Sequence, residues 1–166
     1  MTTPTNNDRD RIYDHVTKSR FLHIEDALNI GKIRLFCGEY KKGEGMGKNT
    51  SHFLDVEDAR VLFNDLSWNK TVKYTEFKGT ANGEVTSRVF SANSKEDKVW
   101  FELKTGPGKE TETGAIQPAG EPTIDISIAL TKEEARRLAL AVLAYIQAAE
   151  TACAVWKLYN QDHPKN

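Results

Sequence analysis

The chain has 166 residues, a net charge of -1, and 39% hydrophobic against 28% charged residues. That is the size of one domain that buries about two-thirds of its unfolded surface, and the near-neutral charge excludes a partner attracted by the molecule as a whole, so any nucleic-acid contact must come from local patterning. Two cysteines, Cys37 and Cys153, are too few for a disulfide scaffold, residues 1–8 lack the basic and apolar regions of a signal peptide, and Gln147 and Glu150 interrupt the longest apolar run. A reducing, cytoplasmic setting with no membrane partner is predicted.

Residues 1–8 are polar and predict a flexible tail, with 9–166 forming a single domain. Over 9–29, Ile12, Val16, Phe21 and Leu22 fit a short amphipathic helix, and 21–24 fit a strand equally well. A strand is expected over 32–40, a glycine-rich tip over 43–49 and a return strand over 51–54. Asp55 then supplies an N-cap, and Glu57 with Asp58 the acidic first turn, of a helix through Ala59, Leu62, Phe63 and Leu66 that ends near Trp68 and Asn69.

Three more strands are predicted at 72–78, 85–91 and 99–104, with turns at Gly79, Asn82-Gly83 and Asn93-Ser94. Asn82-Gly83 suits a tight hairpin. Residues 106–122, rich in Gly, Pro, Thr and Glu, read as the longest loop. An apolar strand over 124–130 then runs into a capping box, Thr131 with Glu134, and a helix to about Tyr159. Its apolar residues fall at Ala135, Leu138, Val142, Ile146, Ala149, Cys153 and Trp156, a stripe that needs a large cover.

The two helix starts repeat one another. Residues 51–62 and 127–138 share Ser, Leu, a capping residue, two acids, Ala-Arg and Leu in order, and 32–36 stands opposite 98–101 in the same role. Capping chemistry alone selects part of this likeness. A true duplication gives pseudo-repeat halves of about 30–68 and 71–160. The fold class expected is α+β, a curved antiparallel sheet with two helices in a strand-strand-helix pseudo-repeat and a long C-terminal helix.

Residues 43–50 resemble a phosphate-binding loop only superficially: Lys42 stands where its first glycine belongs, Asn49 where a magnesium-holding hydroxyl belongs, and a strand follows instead of a helix. The four histidines and two cysteines show no metal-ligand spacing, and the acid pairs Glu57-Asp58 and Glu133-Glu134 answer helix dipoles. No catalytic set, metal site or cofactor is expected, and the chain reads as a non-enzyme.

What stands out is the strand region, where Trp68, Tyr74, Phe77, Phe90, Trp100 and Phe101 interleave with lysines and Arg88. Aromatics alternating with cations on a sheet can stack unpaired bases while the cations follow phosphates. The competing account is that the aromatics fill the core and the lysines keep the other face wet; alternation already separates Tyr74 and Lys78 from Lys73 and Phe77. The residues expected to contact nucleic acid are Lys41, Lys42, Lys48, Lys73, Tyr74, Lys78, Arg88, Lys98, Trp100 and Lys104.

The layout of strands and helix ending in IDISIALTKEEARRLALAVLAYIQAA, with a shortened copy before it, resembles the Whirly and positive-cofactor-four family of single-stranded nucleic-acid binders. The best-matched residues are 128–134, and the likeness spans about 30–160. It implies two curved antiparallel sheets with a helix after each, helices packed inside an oligomer, and single strands bound at strand edges and loops. The expected function is binding of single-stranded DNA or RNA, with DNA favoured, in replication, repair, recombination or transcription. A homo-oligomer through the last helix is expected, with Tyr145, Ala149, Ala152 and Trp156 at its interface. The alternatives are a protein-interaction or scaffold module that oligomerises through the same helix, and a small-ligand or enzymatic role with 106–122 as a lid.

Overall fold

The structure, a computed structural model, describes residues 10–162; the tail expected over 1–8 and His163 lie outside the described residues. The first half builds a four-stranded antiparallel sheet from β1 (Arg11–Val16), β2 (Arg20–Ala27), β3 (Lys32–Lys41) and β4 (Gly45–Asp55), in chain order, with one 3-10 turn at Leu28–Ile30, and closes with α1 (Val56–Ser67). The second half builds a five-stranded sheet. It comprises β5 (Lys73–Thr80), β6 (Thr86–Lys95), β7 (Lys98–Glu110), β8 (Ile116–Pro118) and β9 (Ile124–Thr131), and closes with α2 (Lys132–Asp162). The order is β5-β6-β7, after which β9 pairs with residues 98–105 of β7 and β8 with residues 108–110.

The ambiguous stretch over 9–29 is therefore two strands, because a period of two places Leu22 opposite Cys37 and Ile24 opposite Leu35, all four buried on one face. The expected loop over 106–122 is also part strand: β7 runs on to Glu110 and β8 folds back along it. Gly79 and Gly108 permit this, since a Cβ at either would fall within 3 Å of Ile116. Asn93 and Ser94 lie inside β6; the turn comes later, at Glu96, which takes the left-handed φ of 58°. Asn82-Gly83 sits in a longer connection, 81–85, with Gly83 at φ 84°.

Both halves finish alike. Lys32 pairs with Asp55 across β3 and β4, and Lys98 pairs with Thr131 across β7 and β9; one step inward Ile33 faces Leu54 and Val99 faces Leu130. Ala59 and Leu62 of α1 and Ala135 and Leu138 of α2 follow at the same spacing, all buried. The likeness is thus one of strand register as well as of wording.

The inner faces of the two sheets and both helices bury one continuous core around Phe63, Phe90, Phe101, Leu103, Ile126 and Ile128. The capping box at α2 forms as expected: the Glu134 amide donates to Thr131 Oγ1 at 3.1 Å and the Thr131 amide to Glu134 Oε2 at 2.8 Å. At α1 the cap differs. Asp55 is the N-cap residue but makes no side-chain bond to the helix, because Lys32 and Lys78 hold its carboxylate.

Lys132–Gln161 of α2 is long and apolar enough to cross a membrane by length and composition, yet Leu138, Ala139 and Val142 are fully buried in the core. Beyond Ile146 the buried stripe continues in sequence as Ala149, Cys153 and Trp156, but the body of the protein has ended. Val155, Trp156, Leu158 and Tyr159 all stand exposed.

Candidate nucleic-acid interface

The outer face of the second sheet is laid out in cross-strand rows. One row runs Lys73, Asn93, Trp100, Ala129; the next Thr75, Ser91, Glu102, Ser127; the third Phe77, Val89, Lys104, Asp125. Trp100 is part-exposed and Phe77 is 53% exposed. They stand two rows apart, about 13 Å along the strand direction, with Thr75, Ser91, Ser127 and the Glu102 carboxylate in the row between them. Lys98 extends the face on β7, opposite Thr131. Among the described residues neither Lys73 nor Lys98 has an ion pair, whereas Lys104 lies 3.3 Å from Asp125 and 3.9 Å from Glu102. The face therefore offers two stacking surfaces flanked by unpaired cations.

Tyr74, Lys78 and Arg88 do not join it. In register they share a face with Ala92, Phe90 and Thr105, the side that packs on the rest of the molecule. Tyr74 lies 5.9 Å from the Phe90 ring, and burial, then Glu76, pushes its hydroxyl pKa upward. Lys78 donates to the Phe53 carbonyl at 2.6 Å and Asp55 at 2.7 Å and lies 3.0 Å from Glu76. Burial works against its charge, and the two carboxylates outweigh burial and raise its pKa. Glu76 also meets the buried His52 at 2.7 Å; burial raises its pKa, but bonds to His52 and Lys78 bring the net below the usual carboxylate range. Asp55, Asp58 and Glu76 bring carboxylate oxygens within 4.8 Å of one another, and the Lys32 and Lys78 ammonium groups already balance Asp55 and Glu76 there. This network joins the two sheets.

Lys41, Lys42 and Lys48 are exposed around the β3–β4 turn, with Lys41 3.3 Å from Glu44. Beside them a cavity of about 440 Å³ opens among Arg20, Glu39, Tyr40, Met46 and the glycines of the turn.

A second aromatic surface escaped the sequence reading. On the outer face of the first sheet Phe21, His23 and Phe36 pack ring on ring, with centroids 4.5 and 5.3 Å from Phe21, and the Arg34 guanidinium lies 4.6 Å over Phe36 while pairing with Glu25 at 2.5 Å. A Cβ at Gly38 would meet the Phe21 ring at 2.6 Å, so the ring covers the glycine. The signal was the two-residue spacing of Phe21 with His23 and Arg34 with Phe36.

Of the expected interface residues, Tyr145 is occupied within its own chain: its hydroxyl donates to Asp26 at 2.7 Å, which lifts its pKa to about 12. Ala149 is half-buried, Ala152 exposed, and Trp156 63% exposed. Between the helices an apolar groove of about 700 Å³ lies among Val61, Leu140, Leu143, Ala144 and Ile146. Arg60 of α1 pairs with Glu150 of α2 close by.

Two antiparallel sheets in pseudo-repeat, each followed by a helix and the second helix projecting from the body, constitute the Whirly fold. The crystal structure of WHY1 from Arabidopsis thaliana matches with a TM-score of 0.58 over 98% of both chains at 13% identity. The plant transcriptional regulator PBF-2 matches at 0.54, over 97% of this chain and all of that one, at 13% identity, and WHY3 from Arabidopsis thaliana at 0.52, over 90% and 99%, at 12%. No family model and no curated protein matches the sequence. The fold is therefore established through the backbone, and the site must be argued from this chain's own residues.

Proposed function

We propose that the protein is a non-enzymatic binder of single-stranded nucleic acid, DNA in particular, acting in DNA replication, repair, recombination or transcription. The observation that carries this reading is the outer face of β5, β6, β7 and β9, where Trp100 and Phe77 present rings to solvent beside Lys73 and Lys98. Unpaired bases have faces to stack there and a duplex does not, while the cations take phosphates. The plant transcriptional regulator among the structural neighbours supports the same class. Lys41, Lys42 and Lys48 extend the contact to the first sheet. The projecting end of α2 supports self-assembly into a homo-oligomer, since Val155, Trp156 and Leu158 are apolar and uncovered.

Fluorescence anisotropy with single- and double-stranded oligonucleotides across a salt series tests the reading. Single strands should bind tightly at low salt, weaken linearly in log[salt], and lose affinity when Trp100 becomes Ala. Equal affinity for duplex, or none for single strands, rejects it. The exposed helix end also favours a second reading, an interaction module that assembles without nucleic acid; sedimentation showing an oligomer together with no binding would select that one.

A further inference from the structure

We infer that the cavity at the β3–β4 turn takes an unpaired guanine, an inference that rests on the single-strand reading and gives that interface a base preference. The cavity, about 440 Å³, is the size of a nucleoside site. Its chemistry is a donor beside an acceptor. The Arg20 guanidinium is anchored from one side, donating through Nη1 to the Ser127 carbonyl at 2.6 Å, and its Nη2 stands 3.6 Å from Glu39 Oε1, too far for a good hydrogen bond.

The two form an ion pair that leaves their hydrogen-bonding capacity on this side unspent, and both side chains are 40% exposed. The Watson–Crick edge of guanine presents an acceptor, O6, followed by two donors, N1–H and the N2 amino group. A guanidinium beside a carboxylate answers that order: Arg20 donates to O6 and Glu39 accepts from both N–H groups. Adenine offers the carboxylate one donor, and thymine one.

The surroundings suit a nucleotide. Between the pairs Gly38–Asn49 and Tyr40–Met46 the ladder slips, and such a bulge re-aims side chains out of the pleat. Tyr40 and the 58%-exposed Met46 then stand as apolar walls on the cavity. The Tyr40 hydroxyl donates to the Thr17 carbonyl, which fixes the ring. Around the mouth Lys18, Lys41, Lys42 and Lys48 are exposed, in a chain whose overall charge is -1. Lys41 and Glu44 also line the cavity and pair with each other at 3.3 Å, which leaves Lys18, Lys42 and Lys48 as the exposed cations that phosphates on either side of an inserted base would meet.

The test compares a 15-mer of thymidine with the same strand carrying one central dG, dA, dC or deoxyinosine, by anisotropy at fixed salt. The dG strand should bind about tenfold tighter than the all-T strand, the size of charge-assisted bonds to one base edge. Deoxyinosine, which lacks the N2 amino group, should recover part of the gain and dA none. Glu39→Gln should erase the dG gain and leave the all-T affinity unchanged. Guanosine 5′-monophosphate alone should shift the Met46 methyl resonance.

All-T binding with no gain from dG, an equal gain from dC, or full gain with deoxyinosine overturns the guanine site and leaves the single-strand reading intact. No all-T binding with a Met46 shift overturns that reading and upholds the site. Silence in both arms overturns both.

Discussion

The Lys78 ammonium lies 2.7 Å from an Asp55 carboxylate oxygen, and this contact ties the edge strand of the second sheet to the residue where the first sheet becomes α1. Lys32 shares the same carboxylate at 2.5 Å. The two hydrogen bonds hold the Asp55 pKa down to about 2. A depressed carboxylate contributes its stability above its unfolded value near 4 and loses it as pH falls toward 2. Because Asp55 is 44% exposed, screening reduces the effect to about 1 kcal/mol. Urea unfolding of the protein and of Asp55→Asn should differ by about that amount at pH 7 and converge near pH 2; a difference that persists at pH 2 would contradict the pairing.

Lys73 and Lys78 are five residues apart on β5 and point to opposite faces, which separates binding from stability. Lys73→Ala should weaken single-strand binding severalfold and lower the salt slope by about one. Lys78→Ala should leave that slope alone and cost about 1–3 kcal/mol in denaturant unfolding, since Asp55 and Glu76 each lose one of their two partners. The reverse outcome would place the strand on the other face.

The two cysteines should separate cleanly in a thiol titration. Cys37 is buried and its pKa is pushed to about 12 by burial, so almost no thiolate exists at pH 8. Cys153 is exposed on α2. One equivalent of a disulfide reagent should react promptly and the second only on unfolding.

Leu138 and Trp156 lie on the same stripe of α2 but in different surroundings. Leu138→Ala should cost about 2–5 kcal/mol, because the cavity would open in the core. Trp156→Ala should leave unfolding unchanged in the isolated chain and shift sedimentation toward monomer. An unchanged oligomer after Trp156→Ala would locate assembly elsewhere.

Much of the fold could be read from local chemistry. The capping box at Thr131, the strands before each helix and the pairing of the two helix starts rest on short-range rules, and the structure contains each of them. The misses share a cause. Residues 9–29 carry too short a pattern to set period two against 3.6, and what decides is the partner strand, which places Leu22 on Cys37. The strand in 106–118 depends on Ile116 fitting over Gly79 and Gly108, a contact invisible in composition. For the interface, alternation correctly parted Tyr74 and Lys78 from Lys73 and Phe77 but could not name the outward side. That is set by Asp55, Glu76 and Phe53, which draw Lys78 inward. Phe21, His23 and Phe36 went unnoticed because they assemble only once β2 and β3 pair.

Among the described residues every strand pairing stays within its own half: β1 to β4 pair in sequence, and β5 to β9 pair among themselves. Each half can therefore zip from local hairpins, a low-contact-order route that favours quick closure. On the ribosome residues 11–67 emerge first, with α1 alone to cover the face of Leu22, Ile24, Leu35 and Leu54 until β6, β7, β9 and the start of α2 arrive. Completing the shared core then requires the two halves to dock, and a chain truncated before Ile124 should remain sticky however well its first sheet had formed.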